Sequence, residues 1–134
     1  MKRKIIILSV ILLLTCACSG SSLKKINLKS LNNMLDKKET FILYLTDESN
    51  DGNVLKKTLS QVSKDNNITS YYLNTESLND KDEKELKNII TFEDTNIIIF
   101  IKKGTEETVL TRIDDIYLSE NKLKEELKVQ GYIK

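Results

Sequence analysis

Thr95-Asn96-Ile97-Ile98-Ile99-Phe100-Ile101-Lys102-Lys103-Gly104 is the stretch that decides the fold. Residues 97–101 are apolar without a polar residue at alternate positions, and four of the five are β-branched. Such a run predicts a strand buried on both faces, hence central in its sheet and covered by helices above and below. Lys103-Gly104 predicts a turn, and residues 107–113 a partner strand returning antiparallel. Phe41-Ile42-Leu43-Tyr44-Leu45 has the same unalternating character and predicts a second buried strand. Residues 69–74 predict a third.

Helical spacing fills the intervals. Leu28, Leu31, Met34 and Leu35 share one face behind Asn27, a good N-cap residue. Leu55, Leu59 and Val62 mark a helix running to about Asn66. Leu86, Ile89 and Ile90 follow Asp80-Lys81-Asp82-Glu83, whose spacing is that of a capping-box-like start. Ser119 caps a last helix carrying Leu123, Leu127 and Val129, and Gly131 stops it. The order is helix, strand, helix, strand, helix, strand, strand, helix. Strands separated by helices imply parallel neighbours, and the closing hairpin adds an antiparallel edge. One α/β domain is expected over residues 27–134, with a four-stranded mixed sheet flanked by helices.

The N-terminus carries a different message. Met1-Lys2-Arg3-Lys4 is basic, residues 5–14 are apolar, and Thr15-Cys16-Ala17-Cys18 ends in a small residue before a cysteine. The three-part pattern is that of a secretory signal peptide, and its apolar core is shorter than the roughly 20 residues of a bilayer span. The Ala17-Cys18 junction resembles the lipobox of bacterial lipoproteins. That resemblance implies cleavage after residue 17, a diacylglycerol on the Cys18 sulfur, and a chain held at the extracytoplasmic face of the cell membrane. Residues 18–26 are then expected to be the lipidated cysteine and a flexible tether containing Ser19-Gly20-Ser21-Ser22. An ordinary secreted protein with two incidental cysteines is the alternative.

Composition narrows the chemistry. The chain has two cysteines, at positions 16 and 18, and no histidine. With Cys16 removed and Cys18 a thioether, no thiol, disulfide or thiolate metal ligand would remain, and Ser-His or Cys-His nucleophile systems are excluded. No cofactor is expected beyond the covalent diacylglycerol. Residues 1–17 take Lys2, Arg3 and Lys4 and no acid, which moves the formal charge from +1 to about −2. A near-neutral domain does not suit nucleic acid, and it gains little overall from anionic headgroups, which leaves the anchoring to the lipid.

The element order over residues 28–132 resembles the thioredoxin fold. Phe41-Ile42-Leu43-Tyr44-Leu45-Thr46, a polar turn and an amphipathic helix look like the strand and helix that flank that family's Cys-x-x-Cys site. Residues 95–104 look like its strand and glycine turn that follow a cis-proline. Among relatives, bacteriocin transport accessory protein-type thioredoxin-like proteins are similar in this strand-turn-helix. The resemblance places the redox cysteines at about Asn50 and Asn53 and the cis-proline at Asn96. Asparagine forms no mixed disulfide, and a cis bond before a non-proline residue costs about 2.5–4 kcal/mol. A trans peptide and a redox-inactive, non-enzymatic domain are therefore expected.

Three site readings follow. Asn50, Asn53, Thr95 and Asn96 would form a rim at the carboxyl ends of the strands, where open α/β sheets bind ligands; surface polarity left by a lost active site is the alternative. Asp47, Ser49 and Asp51, followed by Gly52, match the first half of a calcium loop, but Thr58 stands where a bidentate glutamate belongs. There the alternative is a solvated turn with Asp51 as N-cap. Glu106-Glu107 and Asp114-Asp115 are adjacent carboxylates whose side chains in a strand point to opposite faces, which gives no local acid/base pair. The expected role is a membrane-anchored accessory module that binds an envelope protein or an exported peptide. The rivals are a weak calcium-binding surface module and a carboxylate- or metal-dependent envelope enzyme.

Overall fold

A computed structural model describes residues 22–92, 95–110 and 119–134, without the side chains of residues 50–52 and 107–110. Along the chain run β1 (Leu23–Lys25), α1 (Leu28–Asp36), β2 (Phe41–Thr46), α2 (Asn50–Asp65) and β3 (Ser70–Asn74). A 3₁₀ turn (Thr75–Ser77), α3 (Asp80–Ile89), β4 (Ile97–Lys102), β5 (Thr105–Leu110) and α4 (Glu120–Val129) complete it. No helix among the described residues is long and apolar enough to cross a membrane. Cys18, Asp114, Asp115 and residues 111–113 of the expected partner strand lie outside the described residues.

The sheet order is β1-β3-β2-β4-β5. β1 and β2 flank β3 in parallel, β4 lies antiparallel to β2, and β5 antiparallel to β4. The sheet therefore has five strands rather than four. The added strand, Leu23–Lys25, falls within the expected tether, so the ordered chain begins before residue 27. Three residues with one apolar side chain give no strand pattern of their own; pairing with β3 and burial of Leu23 create the strand.

The uninterrupted apolar runs are buried on both sides. Ile42, Tyr44, Ile98 and Phe100 face Leu55, Leu59, Leu123 and Leu127 of α2 and α4. Phe41, Leu43, Leu45, Ile97, Ile99 and Ile101 face Leu28 and Leu31 of α1 and Leu86 of α3. Each fully buried Leu or Ile contributes about 1.5–3 kcal/mol through apolar area removed from water.

Helix ends follow local chemistry. The side chains of Asn27, Asn79 and Ser119 cap α1, α3 and α4 by accepting the N–H of the residue three positions on. Asn79, not Asp80, is thus the α3 cap. In α2 the Asn53 N–H donates to the Ser49 carbonyl at 2.8 Å, which puts Ser49 at the cap position and Asp51 inside the first turn. At the far end of α4, Gly131 at φ +81° lets its N–H reach the Lys128 carbonyl and the Tyr132 N–H the Leu127 carbonyl, closing a Schellman motif.

Lys103 and Gly104 both have positive φ, which a two-residue hairpin turn between right-twisted strands requires. The Gly104 N–H donates to the Glu39 carbonyl at 2.9 Å, and a Cβ there would meet the Leu35 carbonyl oxygen at 2.6 Å. The turn can seat on the end of α1 only because residue 104 has no side chain.

Candidate functional site

At the carboxyl end of β2 the chain leaves the core through Thr46 and Asp47, beside Thr95 and Asn96 at the start of β4. The topology sets these two corners side by side, because β2 and β4 are antiparallel neighbours with Leu45 opposite Ile97. Asn96 is buried, lies at φ +59° and follows a trans peptide. Asparagine is among the few residues that tolerate this left-handed region.

The Asn96 side chain joins four groups. Its Nδ2 donates to Asp47 Oδ1 at 2.9 Å and to Ser49 Oγ at 3.3 Å. Its Oδ1 accepts from the Tyr44 hydroxyl at 3.2 Å and the Asp47 N–H at 3.4 Å. Asp47 Oδ1 also takes the Ser49 N–H, and Oδ2 the Thr95 hydroxyl, both at 2.9 Å. Hydrogen bonds from the Ser49 side chain and backbone, joined by Asn96 and Thr95, hold the Asp47 carboxyl far below the usual carboxylate range. Burial pushes the Tyr44 phenol up to about 12; the Asp47 charge adds to this and a Thr46 hydrogen bond opposes it.

Of the rim residues expected from sequence, the structure joins Thr95 and Asn96 directly to Asp47 and Ser49. Asn53 stands exposed on the first turns of α2, its Nδ2 donating to the Glu48 carbonyl at 3.4 Å. Asn50 begins α2, and its side chain and that of Asp51 lie outside the described residues. Beside Asn53, Val54 is half exposed, one of two large apolar side chains so exposed among the described residues. The Asp47 oxygens are occupied by donors from the protein itself. Among the described residues no three Asp, Glu, His or Cys side chains converge as a metal group.

Tyr44 was a strand residue by sequence, and its part in the network was missed. The available signal was a hydroxyl inside an aliphatic run, since a buried tyrosine needs a partner for its polar end. A groove of about 490 Å³ was also missed; it lies between the ends of β1 and β3 and the helices α1 and α3, lined by Asn27, Asn32, Leu73, Ser77, Leu78 and Glu85 among others. Its walls come from two stretches, residues 25–33 and 73–85, and no sequence pattern links them. The Thr75 hydroxyl donates to the Thr46 carbonyl at 3.2 Å, so the groove and the Asp47–Asn96 corner share one end of the sheet.

No protein-family model and no curated protein matches the chain. Solved structures do. Oxidised thioredoxin O2 from Arabidopsis thaliana superposes with a TM-score of 0.63 at 14% identity, over 84% of this chain and 96% of the other. Thioredoxin f2 from Chlamydomonas reinhardtii gives 0.62 at 14% identity, over 84% and 99%. Schistosoma mansoni thioredoxin gives 0.60 at 14% identity, over 82% and 98%. The chain has a thioredoxin-like α/β fold, with a mixed sheet flanked by helices.

Proposed function

We propose that this chain is a bacterial lipoprotein, anchored through a diacylglycerol on Cys18 at the extracytoplasmic face of the cell membrane. Its thioredoxin-like domain acts without redox chemistry as a binding or accessory module for an envelope protein or an exported peptide. The observation that carries the reading is the corner between β2 and α2. Where a thioredoxin-like fold would carry its Cys-x-x-Cys, this sequence has Asn50-Asp51-Gly52-Asn53, and the adjoining Asp47, Ser49, Thr95 and Asn96 are bonded to one another. Thiol exchange needs a thiolate, and residues 19–134 contain no cysteine. Support for binding comes from the rim itself. A braced polar corner beside exposed Asn53 and Val54 offers a pre-organised surface, and pre-organisation lowers the cost of association.

Photo-crosslinking in intact cells tests this, with the probe at Asn50 and a control probe at the exposed Lys84 of α3. One protein or peptide captured reproducibly from Asn50 and not from Lys84 is the expected result. Equal capture from both sites, or none from either, refutes a stable partner at the rim.

A further inference from the structure

Ser22, the first described residue, and the polar corner lie at opposite ends of the sheet. Ser22 marks where the chain joins the fold: its carbonyl accepts the Ser70 N–H at 2.7 Å and its hydroxyl donates to the Ser60 carbonyl at 3.1 Å. Leu23, Ser70, Ile42 and Phe100 then form one row across β1, β3, β2 and β4. From that row Asn96 is four residues away along β4, about 13 Å at roughly 3.3 Å per residue.

Charge is sorted along the same axis. Near the Ser22 end, Lys37 and Lys38 follow α1, while Lys102 and Lys103 end β4 and open the hairpin turn. The two turns are one surface, because the Gly104 N–H donates to the Glu39 carbonyl and the Lys103 N–H to Thr40 Oγ1 at 3.1 Å. Lys64 and Lys128 sit in the last turns of α2 and α4, which finish at this end. Asp36, Glu39, Asp65 and Glu106 offset part of this charge. No ion pair engages Lys37, Lys38 or Lys103 among the described residues. The opposite end carries Asp47, Glu48, Glu76, Asp80, Asp82, Glu83 and Glu120 before helix starts or in first turns, against Lys25, Lys29, Lys81, Lys122 and the Lys56 that pairs with Glu48. Acids at helix starts and lysines at helix ends follow the helix dipole. With helices aligned, that local preference sums to a polarity of the whole domain.

We infer that the end bearing Lys37, Lys38, Lys102 and Lys103 faces the bilayer and rests against anionic lipid headgroups, which turns the Asp47–Asn96 corner away from the membrane. The inference rests on the lipid-anchor reading of Cys18. Only residues 19–22 separate that cysteine from β1, and such a link extends at most about 15 Å. At that full extension, roughly two Debye lengths at physiological salt, surface charge is largely screened. A link this short cannot hold the domain farther off, however, and when it shortens it brings the basic end against the headgroups. A net charge near zero hides this, because orientation depends on where the charges stand.

The test uses the full chain, purified with its lipid and reconstituted into phosphatidylcholine vesicles with or without phosphatidylglycerol. A fluorophore is attached at Thr105→Cys, beside the hairpin turn, or at Ser77→Cys, at the opposite end, and quenched by a headgroup-nitroxide lipid. Expected is quenching at least threefold stronger at position 105 with phosphatidylglycerol present, falling toward equality without it. Each lysine at an anionic surface is worth roughly fivefold in the docked-to-undocked ratio. Replacing Lys37, Lys38 and Lys103 together by Gln should therefore cost roughly a hundredfold in that ratio and abolish the difference. Equal quenching at both positions in anionic vesicles, or stronger quenching at 77, overturns the orientation alone. A chain that fails to float with vesicles and lacks diacylglycerol on Cys18 by mass spectrometry overturns the anchor reading and the orientation with it.

Discussion

Replacing Asn96 by alanine tests whether the polar corner holds the ends of β2 and β4 together. The substitution removes four bonds. The one from the buried Tyr44 hydroxyl and the one to the Asp47 carboxylate are each worth about 1 kcal/mol net. The long bonds to Ser49 Oγ and from the Asp47 N–H, at 3.3 and 3.4 Å, add little. Tyr44 keeps Thr46 beside it, and Asp47 keeps Ser49 and Thr95, so neither is fully orphaned. Alanine at φ +59° adds about 1 kcal/mol, because its Cβ crowds the carbonyl in the left-handed region. The expected loss is about 3 kcal/mol. Asn96→Gly removes the same bonds without the backbone strain and should lose about 2 kcal/mol. Urea unfolding followed by far-UV circular dichroism gives both values, provided the denaturant slope is unchanged. Combining Asn96→Gly with Tyr44→Phe should cost less than the sum of the two, because the phenol no longer seeks a partner. A loss below 1 kcal/mol for Asn96→Ala, or strict additivity in the double variant, would refute the reasoning.

Other perturbations address separate parts of the fold. Gly104→Ala should destabilise by about 2 kcal/mol or more, since its Cβ meets the Leu35 carbonyl oxygen at 2.6 Å in addition to the positive φ. Gly131→Ala meets nothing within 4 Å and should cost only the φ strain, about 1 kcal/mol, so thermal unfolding of the pair separates clash from strain. Asp47 has a depressed pKa in the folded state, so its stabilisation is complete above the unfolded value of about 3.9 and is lost as pH falls toward the folded value. Asp47→Asn should therefore be less stable than wild type at pH 7 yet lose less stability on acidification, as urea midpoints from pH 6 to 2 would show. Tyr44 has a raised pKa, so its contribution is intact below about 10 and is lost as pH rises toward about 12. Tyr44→Phe should delete a component ionising near about 12 from an ultraviolet absorbance titration.

The central sheet was legible because its strands announce themselves. Residues 97–101 and 41–45 are apolar without alternation, and burial on both faces is what such runs require. The edge was not legible, since Leu23–Lys25 follows a Ser/Gly stretch and becomes a strand only by pairing with β3. Helix starts at α2 and α3 slipped by one or two residues because Ser49, Asn50 and Asp51, like Asn79 and Asp80, are nearly equal as caps. Asn79 wins in α3 by accepting the Asp82 N–H at 2.8 Å. At the site, Thr95, Asn96, Asp47 and Ser49 were each singled out, but under two unrelated readings, a binding rim and a half calcium loop. Their joining depends on the antiparallel register of β2 and β4 across roughly 50 residues of chain. A pattern confined to one segment cannot express that.

The strand order also governs how the chain is made. β2 is buried along all six residues, yet its two neighbours arrive at very different times. β3 follows after one helix, whereas Ile101, the partner of Phe41, is synthesised roughly 60 residues later. At 5–20 residues per second, the far edge of β2 stays unpaired for about 3–12 s in every nascent molecule. An apolar strand edge open for that long is a template for the wrong partner. The burden of keeping the nascent chain from mispairing thus falls on the interval before β4 emerges, and substitutions in Ile97–Lys102 that leave the finished fold stable can still lower its yield.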